Sequence, residues 1–254
     1  MAALPNILKF RISARWYIRD LLEKIKIKSK LLLCPLCKYM AERSSFRIYK
    51  SRCIFGGGPL IRYECPVCEV IFGPEKFLSL PPDKVSQEYR ELYFFYSEGD
   101  SYETQLEAFN KMNPKSHGVY LDYGCGKNAD NIAKMRAAGY NVYGFEPYAK
   151  TQTSDFIITD KSDLIKLKFD GIYTSNVIEH LFDPLQEMQF IASLLKDDGT
   201  IAHCTPCYEY SYEFTRFHVF FYTGKSVQTI CDLLSLDYLD TDNKYIKLFS
   251  KRKL

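Results

Sequence analysis

VYLDYGCGKNADNIAKMRAAGYNVYGFEP, residues 119–147, is the run that decides the fold. An apolar strand, Val119–Asp122, closes on an acid, a tight Gly124-Cys125-Gly126 turn follows, and a helical pattern runs from Asp130 to Ala138. A second apolar strand, Val142–Phe145, then ends in Glu146. Together these make a βαβ unit whose first turn lets a ligand lie against backbone N–H groups. A carboxylate at the tip of the second strand can accept both hydroxyls of a ribose. The run therefore points to a cofactor built on a nucleoside.

Two such cofactors compete for the turn. Gly124, Gly126 and Ala129 satisfy the loose dinucleotide pattern G-x-G-x-x-G/A, and Glu146 stands near the distance expected of its ribose acid. Asp122 favours the other one. A dehydrogenase strand usually stays apolar two residues before its first glycine, where it approaches only a pyrophosphate. A carboxylate there suits a cationic ligand, such as the amino group and sulfonium of S-adenosylmethionine. The plainer reading of Asp122 is a strand-end residue that caps the turn.

FDGIYTSNVIEHLFDP, Phe169–Pro184, separates the two. A third apolar run begins with Phe-Asp, and Asn176, Glu179-His180 and Asp183-Pro184 follow it. After these come a helical pattern (Leu185–Leu195), a turn at Asp198-Gly199 and the strand TIAHCTP. Here the chain resembles the class I S-adenosylmethionine-dependent methyltransferases, and among them the bacterial sugar and polysaccharide methyltransferases with an N-terminal zinc ribbon. The resemblance runs from about Leu33 onward, and VIEHLFDP is far more specific to it than the glycine turn.

The resemblance implies an α/β fold: a doubly wound, seven-stranded, mostly parallel sheet with helices on both faces and a terminal antiparallel hairpin. The sequence offers strands at Val119–Asp122, Val142–Phe145, Phe156–Thr159, Gly171–Thr174 and Thr200–Thr205. Leu236–Thr241 and Tyr245–Ser250, parted by Asp242-Asn243, complete the set. By the same resemblance Asp122 and the Gly124-Cys125-Gly126 turn hold the methionine part of the cofactor. Glu146, with Pro147 beside it, takes the ribose, Asp160 meets the adenine, and Asn176 completes the cofactor site. The family's third glycine is Asn128 here, a residue that tolerates positive φ. The interval after Glu146 is short, so the helix usual there is expected as a turn around Pro147–Ser154.

The cysteines carry a second signal. Cys34-Pro-Leu-Cys37 and Cys65-Pro-Val-Cys68 are two C-x-x-C knuckles that bring four thiolates within tetrahedral reach of a structural Zn2+. The gap between them fits a β-ribbon turning at Gly56-Gly57-Gly58. Disulfides are the alternative, but no secretory signal peptide is expected ahead of them and the total of nine cysteines is odd. Cys204-Thr-Pro-Cys207, Cys53, Cys125 and Cys231 read as packing residues.

At 254 residues the chain can hold one full α/β core and a small module whose thin core a metal would support. The expected organisation is a leader (1–33), a zinc ribbon (34–84), an aromatic helical linker or lid (85–115) and the methyltransferase domain (116–254). A formal charge of +3 does not advertise nucleic-acid binding. The leader is uneven, however: Lys9, Arg11, Arg15, Arg19, Lys24, Lys26, Lys28 and Lys30 stand against Asp20 and Glu23, a net of +6. Interleaved apolar residues make it a basic amphipathic helix, fit either for peripheral contact with an anionic bilayer or for packing on the zinc module or a second subunit. It is too charged for a cleaved signal peptide, and no run is long enough to span a membrane. A cytoplasmic protein, or one peripheral at the inner face of the cell membrane, is the expectation. The oligomeric state is left open.

In the linker, Glu88–Phe109, the aromatics read either as core or as a lid or sugar-stacking platform, with Tyr96 and Tyr102 flanking Gly99-Asp100 as the pair to reach a ligand. Methyl transfer is a direct displacement, so the protein must align the acceptor and manage its proton. By the resemblance His180 and His218 fall where the family builds its acceptor pocket; His180 is the expected acceptor-side base, assisted by His218. Their plainer readings are a helix-start residue and a member of an aromatic cluster. Glu179 could orient His180 or, in a metal-assisted variant, join it on Mg2+. His117 looks peripheral and His203 buried in a strand. The expected activity is methylation of a sugar hydroxyl on a nucleotide-linked or cell-envelope glycan. A sugar C-methyltransferase and a non-catalytic module that kept the fold are the alternatives.

Overall fold

The structure, a computed structural model, describes residues 3–25, 29–94, 96, 101–126, 130–147 and 154–253. Asn128, Ala129, Gly99-Asp100, Lys26, Lys28 and the interior of the expected 147–154 turn lie outside the described residues. In chain order the first elements are α1 (Ala3–Ile25), β1 (Leu31–Leu33), β2 (Met40–Glu42), β3 (Arg47–Arg52), β4 (Pro59–Glu64), β5 (Ile71–Phe72), α2 (Glu75–Leu78), α3 (Pro82–Tyr93) and α4 (Tyr102–Lys111). Next come β6 (Val119–Tyr123), α5 (Asp130–Ala137), β7 (Asn141–Phe145), β8 (Ile157–Ile158), α6 (Lys161–Leu164), β9 (Phe169–Ser175) and α7 (Pro184–Leu194). The last are β10 (Leu195–Cys204), β11 (Phe220–Phe221), α8 (Ser226–Leu234), β12 (Leu236–Asp240) and β13 (Ile246–Lys251). The chain divides into two compact units, Met1–Gly99 with Cys207–Ser226 (unit 1) and Asp100–Pro206 with Val227–Leu254 (unit 2).

Unit 2 holds the expected seven-stranded sheet, in the order β12-β13-β10-β9-β6-β7-β8. Five strands are parallel, and the β12–β13 hairpin joins antiparallel to β10. Strands buried on both faces read as unbroken apolar runs, which is why VYLDY and FDGIYTS were legible. Alternate side chains of β6 serve opposite faces. Tyr120 packs edge-on to Phe109 of α4 at 5.0 Å, while Tyr123 meets Phe190 of α7 at 6.4 Å. Phe109 also lies edge-on to Tyr140 and Tyr173, so this linker aromatic is core of unit 2. The third strand is shorter than expected, Ile157–Ile158 alone. β10 starts earlier, at Leu195, with its register against β9 shifting between Leu195 and Thr200, across the Asp198-Gly199 turn.

Unit 1 contains the two-stranded β1–β2 sheet and a four-stranded antiparallel sheet, β11-β5-β4-β3. β3 and β4 pair from Arg47↔Glu64 to Arg52↔Pro59, and Cys53 N–H donates to Gly58 C=O at 2.9 Å, closing the hairpin over the expected glycine turn. Its fourth strand comes from the far side of the sequence: β11 pairs with β5 through Phe220↔Phe72 and Phe221↔Ile71. Arg62, fully buried, explains why that segment stays. Its guanidinium donates to the carbonyls of Glu213 (2.8 Å), Thr215 (2.7 Å) and His218 (3.1 Å). The expected linker is shared out, α3 to unit 1 and α4 to unit 2.

α1 docks within unit 1. Ile12 and Trp16 are fully buried, and Trp16 Nε1–H donates to Glu88 Oε2 at 3.0 Å. Glu88 itself is buried on α3, and its carboxylate also accepts from Arg15 at 2.6 Å and from Arg216 at 2.7 Å. A carboxylate removed from water must be matched by such donors, and its loss strands the cations around it. Glu88→Gln is therefore expected to destabilise unit 1 by about 3–5 kcal/mol, the range for breaking a buried ion pair. Urea unfolding followed by the fluorescence of Trp16, the chain's one tryptophan, reads this directly. An unchanged midpoint would contradict the role given to Glu88.

Candidate active site and cysteine cluster

In unit 2 the sheet reverses its order at β6: β7 and β8 are laid down on one side, and β9 and β10 on the other. The carboxyl ends of β6 and β9 lie side by side at that reversal, the place where ligands settle in such sheets. Asp122 lies there, in register between Gly144 of β7 and Tyr173 of β9. It is buried, and neither carboxylate oxygen has a hydrogen-bond partner. Burial pushes its carboxyl up to about 8; the nearby Tyr173 hydroxyl opposes that, and Glu146 adds to it by repulsion. The Tyr173 hydroxyl donates to Met135 Sδ at 3.2 Å. A dry, unpartnered carboxylate is costly, and a cation beside it would offset the cost.

The glycine turn follows. Gly124 and Gly126 have φ of +84° and +73°. A Cβ on Gly124 would stand 2.6 Å from Val177 Cγ2, so glycine is required by close approach as well as by φ. A Cβ on Gly126 would meet nothing within 4 Å. The N–H groups of Gly124 and Cys125 both donate to Phe145 C=O, at 2.9 and 3.2 Å, so the turn ties β6 to β7 and those two donors are already engaged. Cys125 is buried, and burial, then Asp122 and Glu146, push its thiol up, which makes it a packing residue and not a nucleophile.

Glu146 follows β7, its N–H donating to Ile158 C=O at 3.0 Å, with Pro147 next to it. Asp160 follows β8 and caps α6, its carboxylate accepting from Ser162 N–H at 2.7 Å. Asn176 follows β9 with φ of +54°, and its N–H donates to Cys204 C=O at 2.9 Å. Asp122, Glu146, Asp160 and Asn176 thus each close a parallel strand of one sheet. Beyond Asn176 a 3-10 turn, Ile178–His180, carries the half-buried His180, whose N–H donates to Val177 C=O. Asp183 then caps α7, accepting from Gln186 N–H at 3.1 Å with Pro184 in the first turn.

Two residues here were not singled out in the sequence. Tyr173 flanks Asp122 in the sheet, and Val177 closes on Gly124; a tyrosine and a valine in apolar surroundings give no warning of either task. Glu179 is fully buried with both oxygens unpartnered, and burial pushes its carboxyl up against the pull of His180. His203 is buried in β10, bonded to Thr174 Oγ1 at 2.9 Å, and burial lowers it to about 3, so it stays neutral. His218 belongs to unit 1, where its Nδ1 lies 3.5 Å from Cys207 Sγ. Tyr96 packs on Phe55 in unit 1, and Tyr102 lies under Lys134 in unit 2.

The four knuckle cysteines come together in unit 1. Their sulfurs all lie within 4.8 Å of one another, and Cys34–Cys68 and Cys37–Cys65 are each 3.6 Å apart. That is far beyond a covalent S–S bond of about 2.04 Å and near the edge of a tetrahedron with Zn–S bonds of about 2.3 Å. The knuckles are built alike. Cys34 and Cys65 N–H donate to the carbonyls of Tyr39 and Val70, and Lys38 and Glu69 N–H return to Cys34 and Cys65 C=O. Lys38 and Glu69 have φ of +61° and +62°. Contact between the thiols pushes Cys34 down and Cys68 up. The donor set fits zinc.

The profile of a family described as "Methyltransferase domain" matches residues 99–254. No curated protein matches the chain. Among solved structures, a TehB-like SAM-dependent methyltransferase from Corynebacterium glutamicum is similar, at 17% identity over 67% of this chain and 97% of that one, TM-score 0.40. So is a S-adenosylmethionine-dependent methyltransferase from Clostridium acetobutylicum, at 13% identity over 67% and 99%, TM-score 0.45. A third is the Burkholderia thailandensis 1,6-didemethyltoxoflavin-N1-methyltransferase, at 14% identity over 76% and 96%, TM-score 0.43.

The Asp122 environment sets a pH dependence. A cationic ligand demands the carboxylate, yet burial keeps the proton on Asp122 up to about pH 8. Affinity for S-adenosylmethionine is therefore expected to fall by about tenfold per pH unit below that point and to flatten above it. Calorimetry across pH, with Asp122→Asn as the variant that loses both the slope and most of the affinity, checks this. A flat profile in the parent protein would remove Asp122 from the ligand's cation.

Proposed function

Because the chain belongs to the methyltransferase-domain family and is an S-adenosylmethionine-dependent enzyme, we propose that it methylates a sugar hydroxyl on a nucleotide-linked or cell-envelope glycan. The observation that carries the donor half of this reading is Asp122, a buried, unpartnered carboxylate beside a positive-φ glycine turn, with Glu146 at the next strand tip. Asp122 would face the donor's ammonium and sulfonium, and Glu146 its ribose diol. Asp160 and Asn176 would bound the adenine end. The sugar half is supported by the resemblance of VIEHLFDP and the cysteine knuckles to the zinc-ribbon sugar methyltransferases.

Bound S-adenosylmethionine supplies a methyl already activated on sulfur. What the protein adds is alignment and a place for the acceptor's proton. His180 would take the proton of the acceptor hydroxyl as its oxygen receives that methyl. Glu179, held dry next to it in sequence, would stabilise the imidazolium that forms. His180→Ala is expected to lower turnover by about two orders of magnitude or more with donor affinity little changed. Labelled donor offered to nucleotide sugars and cell-envelope glycan fractions reads both the acceptor and the effect. Label appearing only in protein or in a non-sugar metabolite would refute the sugar reading, and solvent deuterium entering the sugar would mark C-methylation.

In unit 1, Cys34, Cys37, Cys65 and Cys68 would hold Zn2+ as a closed structural site, leaving no coordination position for substrate. Elemental analysis of reduced protein is expected to give one zinc per chain. Cys65→Ser should lose it and make unit 1 sensitive to protease while calorimetric binding of the donor persists. Metal-free parent protein with an equally resistant unit 1 would defeat this assignment.

A further inference from the structure

α1 is amphipathic twice over. The stripe through Ile12 and Trp16 is buried in unit 1, and charges beside it are spent there: Arg15 on Glu88 and Glu91, Arg19 over the Trp16 ring, Asp20 on Lys76. Opposite that stripe runs a second apolar one. Ile7, Phe10, Tyr17, Ile18, Leu21 and Ile25 recur at spacings of three, four and seven, so they share one side of the helix. They are 57, 74, 64, 56, 41 and 79% exposed. Scattered apolar residues on a surface need no explanation, but a contiguous stripe of this kind marks an interaction site. Packing within unit 1 accounts for the first stripe and leaves the second unexplained.

We propose that this outer stripe seats the protein on an anionic lipid surface, with α1 lying flat in the interface. Five turns from Ile7 to Ile25 give a footprint of about 27 Å. Charge selects the occupant. Arg11 borders the stripe in solvent, and Lys24, Lys26, Lys28 and Lys30 follow along the sequence, whereas the acid Asp20 is turned inward to Lys76. The segment up to Leu33 carries a net +6. A second copy of the chain would set this basic edge against itself, while anionic headgroups neutralise it. Phe10 and Tyr17 are the kind of side chain that rests at the level of headgroups. No helix among the described residues is long and apolar enough to cross a membrane, so the contact is one of lying on the surface.

The test is flotation of the full chain with phosphatidylcholine vesicles and with the same vesicles containing phosphatidylglycerol. Binding is expected only to the anionic vesicles, and high salt should release it. Phe10→Ser combined with Ile25→Ser should reduce it at least tenfold, and Arg11→Glu by less. All three positions are exposed, so near-ultraviolet circular dichroism and donor binding should match the parent and certify the fold. No binding to anionic vesicles, equal binding to neutral ones, or undiminished binding by the serine pair would overturn the proposal. So would a parent dimer in solution that the serine pair dissolves, since the stripe would then belong to a second copy.

Discussion

The pairing of β6 with β9 is the interaction on which the catalytic unit depends. Tyr120, Leu121 and Asp122 lie beside Gly171, Ile172 and Tyr173, strands about fifty residues apart in sequence. Gly171 permits it, since a Cβ there would stand 2.9 Å from the Tyr120 ring and 3.0 Å from Met112 Sδ. Once the two strands are side by side, Asp122 is enclosed, Tyr173 becomes its neighbour, and the segment after β9 carries Val177 onto Gly124. The site is a consequence of where the sheet changes direction. Its acids sit at strand ends because only there can a charge be both fixed by the sheet and reached by a ligand.

Unit 1 rests on a different economy. Its sheets are short, and three buried charges hold distant segments to them. Arg62 gathers the carbonyls of 213, 215 and 218; Glu88 gathers Arg15, Trp16 and Arg216; Lys76 binds Asp20 and the carbonyl of Gly57. Replacing any one by an apolar residue leaves its partners dry and unmatched. Such contacts specify where a segment goes more sharply than apolar burial does, because a cation accepts only a few arrangements of oxygens.

Much of this was legible. The strands of unit 2 announce themselves as apolar runs closed by acids, and the hairpin β12–β13 by its Asp242-Asn243 turn. The cysteine knuckles are local motifs whose spacing fixes their geometry. What was not legible involves partners remote in sequence. Nothing in HVFFY says that Phe220 and Phe221 will pair with Ile71 and Phe72, for two residues are too few to show a period. Phe109 reads as core or as lid from sequence alone, and Tyr120, Tyr140 and Tyr173 around it make it core. The amide hydrogens of Gly124 and Cys125 read as free for a ligand, yet Phe145 takes both. Each of these is decided by a neighbour that sequence proximity does not reveal.

The excursion of Cys207–Ser226 into unit 1 has a consequence for biosynthesis. A ribosome delivers the knuckles and the β3–β4 hairpin early, but their sheet lacks β11, and Arg62 lacks its carbonyls, until translation has passed residue 221. By then most of unit 2 has emerged, and it in turn waits for β13 to cover the edge of β10. The customary order, in which an N-terminal domain is finished before the next begins, is unavailable to this chain. The edge of β5 stays open for most of synthesis, and that of β10 opens before the first is closed; such edges invite pairing with other chains. Demand on chaperones, more than equilibrium stability, is what this topology imposes on the cell.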